Sequence, residues 1–374
     1  MAQSPALDTL DYIPADICCA SDYELLAPRF IKPETFAYLA GGSGRDTTVT
    51  HNRKAFEALT ITPKVLSSVA NGTLNTALFE EQHDHPFMLA PVAYQALANS
   101  DAEIATATAS ASMNTGMVLS TLSSTRLEKV AQHAGARRWF QLYIQPSKQD
   151  TFSLLDRALE AGYTAIVVTL DTSLQAPSHS AIRSGFKFPD NIRAENLSDM
   201  TPSLEPTPGP LSIFKQFMRN AVSTEMLHEI INRSTVPVLA KGVMCPIEAQ
   251  KLRELGFDGV IVSNHGGRSL DGAPASLRVL PQIRSALGEK FPVLLDSGIR
   301  SGADIFKAIA LGADAVLIGR LQVYALSVAG ALGVAHLIKL LKEELEYTMA
   351  MAGCANVDDI RSAHIQPFAE SFLC

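Results

Sequence analysis

The stretch Ser263-Asn264-His265-Gly266-Gly267-Arg268-Ser269-Leu270-Asp271 follows directly on the apolar run at 259–262. A histidine leaving a buried strand suits general-base work, because imidazole exchanges a proton near neutral pH. The two glycines behind it let a substrate approach the backbone, and Arg268 can grip an anion through two parallel donors. Lys241 ends another apolar run; it could form a Schiff base with a carbonyl or stabilise an anion by charge alone. Asp296-Ser297-Gly298-Ile299-Arg300 and Gly319-Arg320 combine glycine with arginine, which admits a phosphate close to the chain.

These groups recur at one place in a repeating pattern. Eight short apolar runs, FMLAPV (87–92), GMVLST (116–121), RWFQLYI (138–144), AIVVTLD (165–171), VPVLAKG (236–242), GVIVSNH (259–265), PVLLDSG (292–298) and AVLIGR (315–320), each have the length of a fully buried parallel strand. Amphipathic stretches such as SLLDRALEAG and SGADIFKAIALG lie between them and end in Gly, a common helix stop. Eight such units predict an α/β fold, a closed (β/α)8 TIM barrel rather than an open doubly wound sheet. Barrels of this kind take their catalytic groups from the C-terminal strand ends. Here those ends carry Ser120, Gln141, Tyr143, Thr169, Asp171, Lys241, His265, Arg268, Asp296, Arg300 and Arg320. The loops after the last two strands are the usual phosphate site, so a phosphorylated cofactor or substrate is expected.

The chain reads as one domain over residues 1–374. Residues 1–86 are expected to form an N-terminal helical cap over one end. Residues 87–353 form the barrel, closed by a helix pair in 321–353. Residues 172–223, rich in Pro and Ser and leaving the fourth strand, read as an active-site lid loop.

Composition narrows the function classes. With 47% hydrophobic and 18% charged residues the chain has the makings of an ordinary globular core. A formal net charge of −7 argues against nucleic acid as the main partner. None of Cys18, Cys19, Cys245, Cys354 and Cys374 stands in a zinc-ligand spacing; no metal site is expected, and so sparse a set fits a reducing compartment. No apolar run reaches about 18–20 residues without a charge or a turn, so no membrane span is expected. The first residues lack a basic and then apolar leader, and the ending SFLC is not the SKL address. A cytoplasmic location is the expectation.

The chain resembles the FMN-dependent α-hydroxyacid oxidase and dehydrogenase family, which includes glycolate oxidases, lactate oxidases and mandelate dehydrogenases. The likeness runs from FAYLAGGSG and HNRKAFEAL through LAPVA, LST, FQLY, VTLDT, LAKGV, SNHGGR, DSGIRSG and IGR to ELEYTMAMAGC. It implies FMN as cofactor, lying along the backbone at Pro91, Val92 and Ala93, with Ser120, Gln141 and Thr169 hydrogen-bonded to its ring. Lys241 would sit by the ring's pyrimidine edge and Ser263 by the ribityl region. Asp296, Ser297, Gly298, Ile299, Arg300, Gly319 and Arg320 would hold the ribityl chain and phosphate. The resemblance gives Tyr38, Tyr143 and Arg268 to the substrate, and makes His265 the proton acceptor with Asp171 stabilising its imidazolium. It also implies reoxidation by oxygen or another acceptor, and a homotetramer. Two alternatives stand beside this: a non-redox FMN barrel of the isomerase type, and a flavin-free aldolase-like barrel using Lys241.

Two positions depart from the family. It places a second arginine seven residues beyond the aspartate, where this chain has Ser178; no arginine follows until Arg183, although AIRSGF matches without a gap. Leu122 stands where glycolate oxidases carry a large aromatic. Both imply a substrate bulkier than glycolate or lactate, either 2-hydroxy acid-like or with its reactive C–H beside a hydroxyl or a ring nitrogen.

Overall fold

Apolar side chains dominate all eight strands because each is covered on both faces, by its neighbours' side chains within and by helices without. The computed structural model describes residues 6–67, 69–200, 213, 222–363 and 365–367. Its strands β1 (Phe87–Leu89), β2 (Met117–Ser120), β3 (Arg138–Leu142), β4 (Ala165–Thr169), β5 (Val238–Val243), β6 (Gly259–Val262), β7 (Val293–Leu295) and β8 (Ala315–Ile318) form one closed parallel barrel. The alternation along each strand is visible in the packing. Met88, Val118, Val167, Leu239, Ile261, Leu294 and Leu317 form an inner cluster, while their neighbours Leu89, Leu119, Val168, Ala240, Val262, Leu295 and Ile318 belong to the larger core under the helices. A register shift between β5 and β6 falls at Gly242, whose φ of +99° and close approach to the Asp171 side chain exclude a Cβ.

The N-terminal segment does not cap one end alone. Helices Pro33–Ala40 and Thr47–Glu57 lie over the C-terminal strand ends, where Ser43 N–H donates to the Gly267 carbonyl and Thr48 N–H to Asp271. The antiparallel pair Thr76–Leu78 and Glu81–His83 sits at the opposite end. There Leu78 and Phe79 pack on the inner cluster and Phe79 meets Trp139 edge-on at 5.8 Å. The barrel's mouth of strand starts needs an apolar plug, and this hairpin supplies it. Leu59–Ile61 pairs with Ile365–Pro367, tying the two ends of the chain together.

Helix Arg320–Ala352 is long and apolar enough by length and composition to cross a membrane, yet 72% of its most apolar window is buried in the protein. Ala329 and Gly330 break its backbone geometry, so it is the expected closing pair, joined without a loop. The loop after β4 contains the short helix His179–Arg183, and Thr224–Arg233 follows it. The Pro-rich part of the proposed lid, TPSLEPTPGPLS, lies outside the described residues, as do Cys374 and the rest of SFLC.

Two histidines are buried at the hairpin end. His85 stacks on Phe87 at 3.8 Å and its Nε2 meets Thr115 Oγ1 at 2.9 Å, while His85 Nδ1 and His83 Nε2 have no partner. Burial, reinforced by Arg137 for His83 and Lys342 for His85, pushes their pKa values down to about 4 and about 3. The unfolded chain takes up these protons near pH ~6.5, so stability is complete above that pH and is lost as pH falls towards the folded values. Thermal melts between pH 7 and pH 5 are expected to show a fall in midpoint that is shallower in His83→Gln, by on the order of 1 kcal/mol at pH ~5.

Candidate active site

At the C-terminal strand ends lies a cavity of about 400 Å³. Of the residues singled out from sequence, Tyr38, Pro91, Val92, Ala93, Ser120, Tyr143, Lys241, His265, Arg268, Asp296, Ser297, Gly298, Ile299, Arg300, Gly319 and Arg320 line it. Gln141, Thr169, Asp171 and Ser263 are not among the lining residues but adjoin them. Gln141 Oε1 accepts from Ser120 Oγ at 3.2 Å, Asp171 meets His265, and Ser263 Oγ accepts from Lys241 Nζ at 2.9 Å. Strand register explains the convergence: Ser120 pairs with Gln141, and Thr169 with Lys241, at the ends of neighbouring strands.

His265 Nδ1 lies 3.1 Å from Asp171 Oδ1. Burial works to raise the Asp171 pKa, but the charges of His265 and Lys241 and the hydrogen bond from His265 win, and the carboxyl is held below its ordinary value. An ionised carboxylate only accepts, so Nδ1 carries a hydrogen, and in the neutral imidazole Nε2 is then the nitrogen with the lone pair. Nε2 faces Tyr143, whose hydroxyl is 3.4 Å away and whose own ionisation burial makes harder. The His265 backbone has φ +58°, a conformation non-glycine residues rarely take and one that marks functional turns.

Lys241 is 3% exposed and 3.2 Å from Asp296. Burial works to lower its pKa, yet Asp296 and Asp171 outweigh it and the net shift is upward. An ammonium ion-paired with Asp296 is a poor amine nucleophile, which weighs against the Schiff-base alternative and favours a fixed positive charge.

The three cavity arginines differ in what they have left to give. A guanidinium carries five N–H donors. Arg300 spends Nε and Nη2 on Glu24 and Nη1 on the Ile299 carbonyl. Arg320 spends Nε, Nη1 and Nη2 on the carbonyls of Leu39, Gly266 and Gly41. Arg268 uses only Nη1, on the Tyr38 and Gly41 carbonyls, with its guanidinium 4.8 Å over the Tyr38 ring. Its Nε and both Nη2 hydrogens have no acceptor among the described residues. Burial, with repulsion from Arg268 and Arg300, pushes the Arg320 pKa down to about 10: this end of the cavity has more positive charge than it balances.

The residues fit a flavin mononucleotide. Gln141 Nε2 and Thr169 Oγ1 are buried without a partner beside Ser120 and Lys241, which is where a ring edge with carbonyl and N–H groups would satisfy them. Ser263 Oγ accepts from Lys241 and from the His265 N–H, leaving its own hydrogen to donate. Arg320, which has no carboxylate partner among the described residues, lies beside Gly319, where apart from the chain neighbours no described atom stands closer than 4.0 Å to where a Cβ would be, so an anion can reach the backbone.

Comparison with known proteins agrees with this site. The model of the FMN-dependent dehydrogenase family matches residues 27–367. An L-lactate oxidase of Alicycliphilus denitrificans is 49% identical, covering 96% of this chain and 98% of that protein. Human 2-hydroxyacid oxidase 1 is 35% identical over 91% of this chain and 94% of its own. A mandelate oxidase structure with (S)-2-phenylpropionate superposes with a TM-score of 0.85 at 35% identity, covering 93% and 98%. Fold and site define a flavin-dependent barrel enzyme. The chain belongs to the FMN-dependent dehydrogenase family and is an FMN-dependent oxidoreductase.

Sequence reading missed several wall residues: Tyr94, Gln175 and Phe188 line the cavity. Tyr94 directly follows the quoted LAPVA, so adjacency was a usable signal; nothing local marks Phe188, which reaches the wall because it packs edge-on against Tyr94 at 4.5 Å. Ser178 does not line the cavity: its Oγ caps the His179–Arg183 helix and meets Ser180 Oγ at 3.0 Å. Exposed Arg183 does not line it either, so the missing arginine has no substitute among the described residues of the wall.

If unbalanced arginines recognise the phosphate, apoprotein should bind riboflavin at least tenfold more weakly than FMN. Quenching of flavin fluorescence on titration reads this directly, and equal affinities would reject the phosphate assignment.

Proposed function

We propose that this enzyme oxidises a 2-hydroxy acid to the 2-oxo acid, with oxygen as final acceptor, and that its preferred substrates carry larger side chains than glycolate or lactate. The observation that carries the reading is that Arg268's uncommitted donors and the His265 Nε2 lone pair share one cavity. An anion holder and a proton acceptor are thereby presented together.

FMN supplies a two-electron acceptor that oxygen can reoxidise. The remaining work falls to the chain. Arg268 and the Tyr38 hydroxyl take the carboxylate, His265 Nε2 takes one proton, and Asp171 stabilises the imidazolium so formed. The substrate's second hydrogen leaves with the electron pair. Lys241 supplies positive charge where the accepted electrons reside.

Support for the acid class comes from relatives described as L-lactate oxidase, 2-hydroxyacid oxidase and mandelate oxidase. Support for a larger side chain comes from the wall, where Leu122, Tyr94 and Phe188 offer apolar surface. The non-redox isomerase reading has less behind it, since nothing in that chemistry calls for a histidine base held by a carboxylate. A homotetramer by family likeness and a cytoplasmic location complete the reading; the free thiols Cys18, Cys19, Cys245 and Cys354 are in keeping with a reducing compartment.

Anaerobic mixing should bleach the flavin, and air should restore its colour with one peroxide per turnover. In a series from glycolate through lactate to mandelate, kcat/KM should rise, and Leu122→Trp should depress mandelate at least tenfold while sparing glycolate. Fastest turnover of glycolate would refute the size assignment. Arg268→Lys should raise KM by roughly tenfold to a hundredfold, the equivalent of ~1.5–3 kcal/mol for a lost charge-assisted contact.

A further inference from the structure

We infer that Asn52, on the Thr47–Glu57 helix, is a positioning residue for His265, acting through a reciprocal carboxamide pair with Asn264. The idea rests on the reading of His265 as proton acceptor. Asn52 Nδ2 donates to Asn264 Oδ1 at 2.8 Å, and Asn264 Nδ2 donates back to Asn52 Oδ1 at 2.7 Å. Both residues are buried, at 2% and 1% exposure. Their orientation is fixed by the backbone around them: Asn264 Oδ1 also accepts from Gly267 N–H at 3.1 Å, and Asn264 Nδ2 also donates to the Pro274 carbonyl at 3.0 Å. Flipping either amide would set donor against donor or acceptor against acceptor.

The pair sits where leverage is greatest. Asn264 immediately precedes His265, and the turn it caps runs through three consecutive left-handed residues: His265 at φ +58°, Gly266 at +62° and Gly267 at +80°. Left-handed φ is unfavourable for a non-glycine residue, so the histidine holds this conformation only while its surroundings insist on it. Asn264 Oδ1 holds the far end of the turn at Gly267, and Asn52 holds Asn264. Asn52 is 212 residues away in sequence and does not line the cavity. Its Oδ1 also accepts from the Ser276 N–H at 3.4 Å, a route to the Asp296 carbonyl, so normal FMN content is the control that separates placement of the imidazole from disturbance of the cofactor loop. Loss of the pair strands a buried amide and lets the turn relax, and the Nδ1 to Asp171 contact goes with it.

Three variants test this by anaerobic stopped-flow flavin reduction, expressed per bound FMN, at temperatures where circular dichroism shows folded protein. Asn52→Ala should reduce its flavin at least tenfold more slowly than the wild type while keeping normal FMN content. Asn52→Asp separates positioning from mere packing. A protonated carboxyl can donate to Asn264 Oδ1 and accept from Asn264 Nδ2 as the amide does, whereas a carboxylate cannot donate. The ratio of its rate to the wild-type rate should therefore rise as pH is lowered. Wild-type rates per flavin in both variants, with only the melting temperature reduced, would overturn the proposal. Should Asn52→Ala not fold, the Asn52→Asp ratio decides alone: flat with pH refutes it. His265→Gln run alongside keeps the premise separate, since an undiminished rate there would defeat the base assignment whatever Asn52 does.

Discussion

The site depends on holding one histidine where its backbone does not wish to be. Left-handed φ at His265 turns its ring from the end of β6 back towards Asp171 at the end of β4, and β-region φ would carry the chain on into the loop instead. Contacts from several directions enforce it. Ser263 Oγ takes the His265 N–H, Ser297 Oγ takes the Gly266 N–H, Arg320 takes the Gly266 carbonyl, and Ser43 takes the Gly267 carbonyl. These come from β6, the β7 and β8 loops and the N-terminal segment, so the turn is assembled only when the whole barrel has closed. The N-terminal helices are in this sense part of the active site, although of their residues only Tyr38 and Leu39 line the cavity.

Charge is the second organising constraint. Lys241 and Asp296 form a buried ion pair at the C-terminal strand ends, and breaking such a pair by removing one partner typically costs ~3–5 kcal/mol. Arg300 has its own carboxylate in Glu24, brought by the Asp22–Leu26 helix. Arg320 has none among the described residues, and its Nε, Nη1 and Nη2 each donate to a carbonyl, which orients the guanidinium without cancelling its charge. The imbalance is local and faces the cavity, in a chain whose overall charge is −7. An acidic protein thereby keeps one electropositive recess, matched to a phosphate at one end and a carboxylate at the other.

Much of this was legible in sequence because a closed barrel makes its rules local. Eight apolar runs with polar ends fix which residues share a rim, and the run-end residues from Ser120 to Arg320 do share it. What sequence could not supply were relations across unrelated segments. The hairpin at 76–83 went to the opposite end from the helices beside it, because Leu78 and Phe79 find their apolar partners among strand starts, and no local pattern announces which end a short hairpin plugs. The division of labour among three arginines was equally hidden. All three look alike as letters, and only the positions of Glu24 and of the Leu39 and Gly41 carbonyls decide which keeps donors free.

The serine at position 178 shows how a single lost charge redistributes work. Where two arginines clamp a carboxylate, recognition of the acid head dominates, and the rest of the substrate adds little. Here Ser178 has been turned to a structural task, capping the helix that carries the chain on to Phe186 and Phe188. Phe186 stacks on Tyr38 at 4.4 Å, and Phe188 approaches both Tyr38 and Tyr94 edge-on. The segment that gave up a cation has thus become the support of an aromatic wall next to Arg268, which itself lies over Tyr38. Binding energy withdrawn from the carboxylate is recoverable only from apolar contact, at roughly 25 cal/mol per Å² buried. A substrate with little more than a carboxylate and a hydroxyl has no such surface to bury, which is the physical basis of the proposed preference for larger side chains.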